Sequence, residues 1–342
     1  MRKREVTMND APSGTPPAPT LSVVICAYTL DRWDDLTAAV RSVLDQDPPA
    51  GEVVLVVDHN RALLERAARE LSGVRVVPNQ ERRGLSGGRN TGVALSRGDV
   101  VAFLDDDATA EPGWVRSLLA PYVDPRVVGV GGLVRPSWSA GRPVWFPPEF
   151  DWVVGCSYRG QPERAAPVRN FIGANMSFRR SELLAVGGFL DALGRVGTRP
   201  VASCDETDLC LRIAARDQQA VLMYEPAAGI RHRVPRSRTS WSYFRYRCYV
   251  EGLSKALVAR RCGSGPALAD ERAYVRSTLS RALVRNLARV GRPGGIGTVG
   301  ALLAGLGATI AGYLVGWVRP LDSGAPGRRS RAVTGPQATT SS

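Results

Sequence analysis

Short, almost purely apolar runs constrain the fold of this chain more than any other feature of its sequence. LSVVICA (21–27), EVVLVV (52–57) and DVVAFL (99–104) each have the length of one strand and few polar side chains. Strands that are buried on both faces, as in parallel sheets, have this composition. Amphipathic helix patterns separate the runs, so the sequence predicts an α/β fold with a doubly wound, mostly parallel sheet.

The remaining predicted elements follow this alternation as far as Ala110 and become less regular beyond it. Apolar spacing and candidate caps predict further strands at 74–77, 127–134 and 170–178. Predicted helices cover 31–44, 61–71, 84–96 and 114–122, begin at Ser181 and Asp205, and fill most of 241–290. Residues 1–20 and 321–342 are rich in small and polar residues and are predicted to be disordered.

Three predicted strands lead directly into polar residues. Tyr28 follows the first run, Asp58 the second, and the acidic triplet Asp105-Asp106-Asp107 the third. In doubly wound sheets the ligand lies beyond the carboxyl ends of the strands, so we expect these side chains to converge on one crevice. Asp105 and Asp107 point the same way in an extended chain, and carboxylate oxygens suit Mg²⁺ or Mn²⁺. A solvated loop is the alternative explanation of the triplet.

A second acidic cluster, DETDL, places Asp205, Glu206 and Asp208 at the start of a predicted helix. One of these carboxylates could act as a general base that deprotonates an acceptor hydroxyl. The alternative is an ordinary acidic first turn, which the helix dipole favours. Neighbouring carboxylates raise the pKa of such a base and a helix N-terminus lowers it, so the sequence leaves the direction open.

Two further features bear on ligand binding. The segment GLSGGRNTG (84–92) precedes a predicted helix but has neither the dinucleotide-binding nor the P-loop glycine spacing. Its Arg89 is a candidate phosphate ligand, because guanidinium groups suit phosphate oxygens; a flexible turn is the alternative. His232 is one of only two histidines. It is a candidate metal ligand, with a structural role equally open.

The net charge of +13 is concentrated in the last third of the 342-residue chain. From Arg231 onward, 19 lysines and arginines accompany four acidic residues, whereas the first 230 residues carry 26 basic and 28 acidic residues. The six cysteines include no CxxC pair, which favours a reduced cytosolic compartment and gives no zinc motif. The basic N-terminus lacks a following apolar run, so no signal peptide is predicted.

Together these motifs resemble the family 2 glycosyltransferases, which are inverting enzymes of the GT-A fold. SVVICAYTLDRWDDLTAAVRSVLDQ is similar to the opening strand, nucleotide-contacting loop and first helix of the family. VVDHN stands where the family has a V-D-D-G-S-like run; it keeps Asp58, the base-contacting acid, but departs at His59 and Asn60. NQERRGLSGGRNTG resembles the N-x-x-x-G-x-x-x-A-R-N-x-G segment, with Gly88 replacing alanine and Arg89 retained.

The later motifs follow the family order. FLDDDA is similar to the F-L-D-x-D metal motif, and FIGANMSFRRSELLAVGGF looks like the acceptor-side segment. DETDLCLR resembles E-D-x-D-L-x-x-R with the first two acids exchanged, which puts Glu206 at the base position and keeps Asp205 and Asp208 as alternatives. HRVP resembles the segment that supplies a metal-site histidine, His232. The resemblance covers about 21–235, the predicted transferase domain.

The resemblance implies an inverting transfer from a nucleoside-diphosphate sugar, with a UDP-sugar expected, to an acceptor hydroxyl or phosphate. A Mn²⁺ or Mg²⁺ ion would bind Asp105, Asp107 and His232 against the departing diphosphate. The expected donor-binding residues are Tyr28, Asp58, Arg89, Asp105 and Asp106.

Residues 236–320 form a predicted helical extension whose apolar segment, 294–318, contains 25 residues without a charge. At about 1.5 Å per residue, such a helix can cross a hydrocarbon core of roughly 30 Å. Flanking arginines add attraction to anionic lipids, and the GxxxG spacing at Gly312 and Gly316 is tolerated within membranes. We expect a cytoplasmic enzyme at the inner face of the cell membrane, with a glycan or polyprenyl-linked acceptor. A buried helical hairpin is the alternative.

Two other classes of function compete with this interpretation. The run WSYFRYRCYVEG (241–252) mixes arginines and aromatic residues, as segments that bind single-stranded nucleic acid do. Its spacing also fits an amphipathic helix, which we favour, so nucleic acid is not expected as a partner. A sugar nucleotidyltransferase would share the fold type but opens with a glycine-rich pyrophosphate loop, which ICAYTLDR lacks.

Overall fold

The structure is a computed structural model that describes residues 18–191, 204–262, 269–288, 291 and 294–318. The predicted tail 321–342 and nearly all of the predicted lead-in 1–20 lie outside these residues.

The described residues form nine strands. Their bounds are β1 Leu21–Ala27, β2 Glu52–Val57, β3 Arg75–Pro78, β4 Val100–Asp105, β5 Ala108–Ala110, β6 Val127–Trp138, β7 Ala166–Pro167, β8 Asn175–Arg179 and β9 Val221–Val234. They make one sheet in the order β3-β2-β1-β4-β8-β6-β9-β5, with β7 paired to β9.

The α-helices are α1 Trp33–Leu44, α2 Arg61–Glu70, α3 Leu85–Leu95, α4 Trp114–Leu119, α5 Arg180–Ala185, α6 Asp205–Arg216, α7 Trp241–Cys262, α8 Ala269–Ala273, α9 Ser280–Leu287 and α10 Gly295–Val318. A π-helical segment, Tyr274–Leu279, joins α8 to α9. Short 3-10 turns cover Leu30–Arg32, Ala120–Val123, Pro148–Val154 and Arg236–Thr239.

The strand order switches between β1 and β4. β1 pairs in parallel with β2 on one side and with β4 on the other, and β3 extends the β2 side. Ala27 and Asp105, the last residues of β1 and β4, therefore border a crevice. Beyond β4 the sheet is mixed, because β8 is antiparallel to both β4 and β6 while β6 and β9 are parallel. The α/β fold class is confirmed, with antiparallel pairs in its second half.

Helices cover both faces of the sheet because apolar side chains of β1 alternate between two buried clusters. Val23 and Ile25 lie in one cluster with α1, α2 and α4. Val24 lies in the other with α3, α5 and α6. This two-sided burial is the reason that the strand sequences are apolar at successive positions.

Three strands were not predicted from the sequence: β5, β7 and β9. The long β9 contains Glu225, Pro226 and Arg231, and this mixture does not resemble the buried apolar runs. β9 pairs with β6 along most of its length and with β5 near its end, so tertiary pairing rather than composition determines it.

The C-terminal helices pack against each other through glycines. A Cβ atom at Gly252 of α7 would lie 2.0 Å from the Thr309 carbonyl oxygen, and one at Gly312 of α10 would lie 2.0 Å from that of Tyr249. The two backbones therefore approach more closely than side chains would allow. By length and composition, α10 can associate with a membrane, and it is mostly uncovered by the rest of the described chain.

Candidate active site

A cavity of about 1380 Å³ opens beyond the carboxyl ends of β1 and β4. It is larger than the roughly 300–1,000 Å³ of most small-molecule sites, so it has room for two substrates. Its lining contains nearly every residue that the sequence singled out: Tyr28, Asp58, Arg89, Asp105, Asp106, Asp107, Asp205, Glu206 and His232. Asp208 is not part of this lining.

The three predicted metal ligands lie close together in the cavity. Asp105, Asp107 and His232 each offer a ligand atom within 4.8 Å of the others. The Nε2 atom of His232 lies 3.2 Å from Asp107 Oδ1, and both residues are buried. Two carboxylates and an imidazole suit a divalent ion such as Mn²⁺, so the donor set fits the predicted metal.

The register of β9 explains how His232 reaches the acidic triplet from 125 residues further along the chain. His232 pairs with Ala108 of β5, the residue immediately after the triplet. The backbone N–H of Arg233 donates to the Asp107 carbonyl oxygen at 2.8 Å, which closes the turn between β4 and β5. The candidate metal-ligand set is therefore a product of strand pairing across the sheet.

Arginine side chains surround the inner two aspartates of the triplet. Arg32 Nη1 lies 2.7 Å from Asp106 Oδ1 and 3.1 Å from Asp107 Oδ2. Arg238 Nη2 lies 3.7 Å from Asp107 Oδ2. Burial would raise the pKa of Asp107, but His232, Arg238 and Arg32 together hold that pKa below its usual range. These contacts favour the ionised form of the Asp107 carboxyl.

Asp106 differs from its two neighbours. Burial, reinforced by the charges of Asp107 and Asp105, raises the pKa of Asp106 to about 7 despite the contact with Arg32. Among the described residues, no hydrogen-bond partner reaches its buried Oδ2 atom. Asp106 faces Arg32 rather than the candidate metal ligands. Arg32 and Arg238 were not predicted as site residues; the position of Arg32, just after β1, was the available signal.

The carboxylate of Asp58 organises the loop before α3. It accepts hydrogen bonds from Asn79 Nδ2 at 2.7 Å and from the Gly84 backbone N–H at 3.0 Å. Tyr28 follows the neighbouring strand β1, and its hydroxyl accepts a hydrogen bond from Arg32 at 2.9 Å. Both residues line the cavity, as the family resemblance implies for donor-binding residues.

Arg89 joins the two acidic clusters. Its Nη1 lies 2.8 Å from Asp205 Oδ2, and its Nη2 lies 3.7 Å from Asp105 Oδ1. Nη2 also donates to the Gly173 carbonyl oxygen at 2.9 Å. The guanidinium is buried, so charge-assisted contacts compensate for its desolvation. The structure thus places Arg89 between the candidate metal site and the candidate base.

The three acids of the DETDL cluster have different surroundings. Asp205 is buried and pairs with Arg89, and Glu206 is half-buried in the cavity wall. Burial, and then the adjacent Asp205 carboxylate, raises the pKa of Glu206 well above its usual value. Asp208 accepts a hydrogen bond from Arg212 Nε at 2.7 Å outside the cavity lining. Of the three acids, Glu206 is thus the one that lines the cavity without an ion pair to an arginine among the described residues.

The cavity extends from these groups to the C-terminal helices. In this extension Glu271 lies 2.6 Å from Lys255 and 2.7 Å from Arg169, measured between charged side-chain atoms. The aromatic and basic run of α7 contributes buried Phe244 and Arg247 to this part of the molecule. The run thus lies in a helix with both buried and exposed aromatic side chains, since Tyr246 is 50% exposed.

Comparison with known proteins agrees with this geometry. Residues 22–185 match the family described as Glycosyl transferase family 2. The glucosyl-dolichyl phosphate glucuronosyltransferase of Haloferax volcanii is 36% identical over 307 residues, which cover 88% of this chain and 97% of that protein. The chain belongs to glycosyl transferase family 2. This membership confirms the prediction, made from the ordered motifs, that the chain is a glycosyltransferase.

Two other similar proteins share less of their length or sequence with this family 2 member. The pre-mycofactocin glycosyltransferase of Mycobacterium tuberculosis is 27% identical over 253 residues, which cover 63% of this chain and 52% of that protein. The mannosyltransferase PcManGT of Pyrobaculum calidifontis, solved with GDP-Man and Mn²⁺, superposes with a TM-score of 0.57 at 16% identity. The superposition covers 88% of each chain, and it supports the predicted GT-A-like fold.

Proposed function

We propose that this glycosyltransferase moves a sugar, with inversion, from a nucleoside-diphosphate sugar to a hydroxyl group of a lipid-linked acceptor. The observation that carries the proposal is the meeting of Asp105, Asp107 and His232 in the cavity that Glu206 also lines. A divalent ion held by these three residues would neutralise charge on the leaving nucleoside diphosphate. A UDP-sugar remains the expected donor, and Mn²⁺ is the ion that the mixed oxygen and nitrogen ligands favour.

Glu206 is the proposed general base. Burial and the adjacent Asp205 carboxylate raise its pKa, and the ionised form of a more basic carboxylate accepts a proton more readily. Arg89 forms an ion pair with Asp205, the residue next to Glu206 in the chain. This contact would couple the position of Glu206 to the proposed metal-binding end of the cavity. Tyr28 and Asp58 are proposed to contact the nucleoside, and Arg32 and Arg238 to contact the diphosphate, because guanidinium groups suit phosphate oxygens.

A hydroxyl acceptor is the class that the proposed base would serve. A phosphate acceptor is already ionised at neutral pH and needs little proton removal, whereas a sugar hydroxyl must lose its proton as the glycosidic bond forms. The name of the Haloferax volcanii relative describes transfer to a sugar carried on dolichyl phosphate. We propose an acceptor of the same class, a sugar on a polyprenyl phosphate, used at the inner face of the cell membrane.

The donor can be identified by thermal shift. A ligand that binds only the folded protein stabilises it by about 2.7 kcal/mol when its concentration is a hundred times its Kd. We expect one nucleoside-diphosphate sugar in a panel with Mn²⁺ to raise the melting temperature, and the same compound without metal to have a much smaller effect. Stabilisation by every nucleotide alike, or stabilisation that is independent of metal, would argue against the proposed donor site.

A further inference from the structure

One face of α10 is apolar along its whole length and is not covered by the rest of the described chain. Ile296, Leu303, Ile310 and Trp317 recur every seven residues and, at about 3.6 residues per turn, form one stripe. They are 74%, 55%, 51% and 46% exposed, and Leu314 on the same stripe is 61% exposed. We call these five residues the outer stripe. A continuous apolar face of this kind marks an interaction surface.

The opposite face of α10 is packed onto the enzyme. Gly305 lies against Phe150, and Gly312 lies against the backbone of Tyr249 in α7. α7 also carries Lys255, which lines the active-site cavity. If α10 crossed a bilayer upright, α7 and its charged cavity wall would enter the hydrocarbon with it, which is strongly unfavourable.

We propose that α10 lies in the plane of a lipid bilayer, with the outer stripe in the boundary between headgroups and acyl chains. α10 has no charged face of its own, but its opposite face is held by the enzyme, so only the outer stripe is free to enter this boundary. The charge of the C-terminal region complements an anionic leaflet, because its described residues from Arg236 onward include 11 lysines and arginines and three acids. Exposed aromatic residues of α7, Trp241 and Tyr246, suit the same boundary.

The cavity reaches this surface. Ile310 belongs to the outer stripe and also lines the cavity. Val275 of the π-helical segment and Tyr246 of α7 likewise line the cavity and are partly exposed. The cavity therefore reaches the outer stripe at Ile310, and we place its mouth, at these three residues, against the membrane surface. This part of the inference rests on the proposed function. The isoprenoid chain of the acceptor would stay in the bilayer, and the sugar that it carries would enter the cavity toward Glu206.

Spin-label depth measurements test the orientation. Single cysteines at Leu303, Ile310, Trp317 and Val275 would be labelled in the full chain with Cys26 and Cys262 changed to serine, since the other four cysteines are buried. On phosphatidylcholine–phosphatidylglycerol vesicles, we expect all four labels about 5–10 Å below the headgroups. An upright helix would separate labels at 303 and 317 by about 21 Å in depth, at about 1.5 Å per residue, and would overturn the proposal. A label at 275 that remains in water would overturn the position of the cavity mouth.

A charge on the outer stripe provides a second test. Burial of an isoleucine side chain in the bilayer contributes about 1.5–3 kcal/mol to the free energy of membrane binding. Ile310→Glu should therefore lower partitioning onto these vesicles by about tenfold or more. Val123→Glu is the matched control, because Val123 is 85% exposed but lies in the 3-10 turn before β6. Equal losses in both variants, or no loss in either, would contradict the proposal. Neither test requires a donor or an acceptor, so an incorrect substrate assignment would leave these results unchanged.

Discussion

Replacement of Gly312 by alanine should destabilise the protein, because a methyl group has no room between α7 and α10. The added Cβ atom would lie 2.0 Å from the Tyr249 carbonyl oxygen and 2.9 Å from its carbon. Both are backbone atoms, so the contact can be relieved only if the two helices separate. Overpacking of this kind typically costs about 1–3 kcal/mol.

Gly307 offers a matched control in the same helix. A Cβ atom at Gly307 meets nothing within 4 Å. Alanine is favoured over glycine in a helix interior by about 0.8–1.0 kcal/mol, and this gain applies equally at both positions. The difference in free energy of unfolding between Gly312→Ala and Gly307→Ala is therefore the packing cost alone, about 1–3 kcal/mol.

Urea unfolding of the full chain, followed by tryptophan fluorescence, measures this difference. We expect Gly307→Ala to unfold at a slightly higher urea concentration than the unaltered protein and Gly312→Ala at a lower concentration than Gly307→Ala, with similar slopes. Equal midpoints for the two variants would refute the close packing of α10 on α7. They would also remove the structural argument for an in-plane helix.

Two further predictions concern the active site. His232→Ala should weaken Mn²⁺ binding, measured by calorimetry, by at least the roughly 10- to 100-fold that is typical of losing an outer-shell partner. The control is His59→Ala, which changes the other histidine, outside the cavity lining, and should bind Mn²⁺ normally. Equal losses of affinity in the two variants would remove His232 from the metal site. Asp205→Asn should shift the acidic limb of the pH–rate profile to lower pH, because the Asp205 charge helps to raise the pKa of Glu206. Because a base must be deprotonated to act, a lower pKa of Glu206 lets activity begin at a lower pH. If the acidic limb of the profile does not move, Glu206 does not control that limb.

Sequence patterns predicted the parts of the fold that local composition determines. β1, β2 and β4 lie where the apolar runs indicated, because burial on both faces requires apolar side chains at every position. The acidic triplet also lies at the predicted sheet edge, since its position follows from the end of β4. These features need no knowledge of distant contacts.

Most features that depend on distant pairing were not predicted, and the meeting of His232 with Asp105 and Asp107 was expected only from the family resemblance. β9 contains proline and charged residues, so only its pairing with β6 and β5 identifies it as a strand. The contact between Arg89 and Asp205 joins residues 116 positions apart, and Arg32 contacts Asp106 across 74 positions. Such contacts are set by the sheet order, and no local pattern reports them.

The proposed mechanism assigns the metal site and the general base to different residues. Asp107 lies with His232 in the candidate metal site, whereas Glu206 lines the cavity beside Asp205. Loss of a general base typically lowers the rate about 10²- to 10⁴-fold without removing the binding groups. Asp107→Ala and Glu206→Gln should therefore both lose transfer for different reasons.

Calorimetric titration of the two variants with Mn²⁺ and donor nucleotide, beside a transfer assay, tests this claim most directly. We predict that Glu206→Gln binds both ligands normally while transfer falls by at least about a hundredfold, and that Asp107→Ala loses both metal binding and transfer. Full activity in Glu206→Gln would place the base elsewhere. Unchanged Mn²⁺ binding in Asp107→Ala would contradict the proposed metal site.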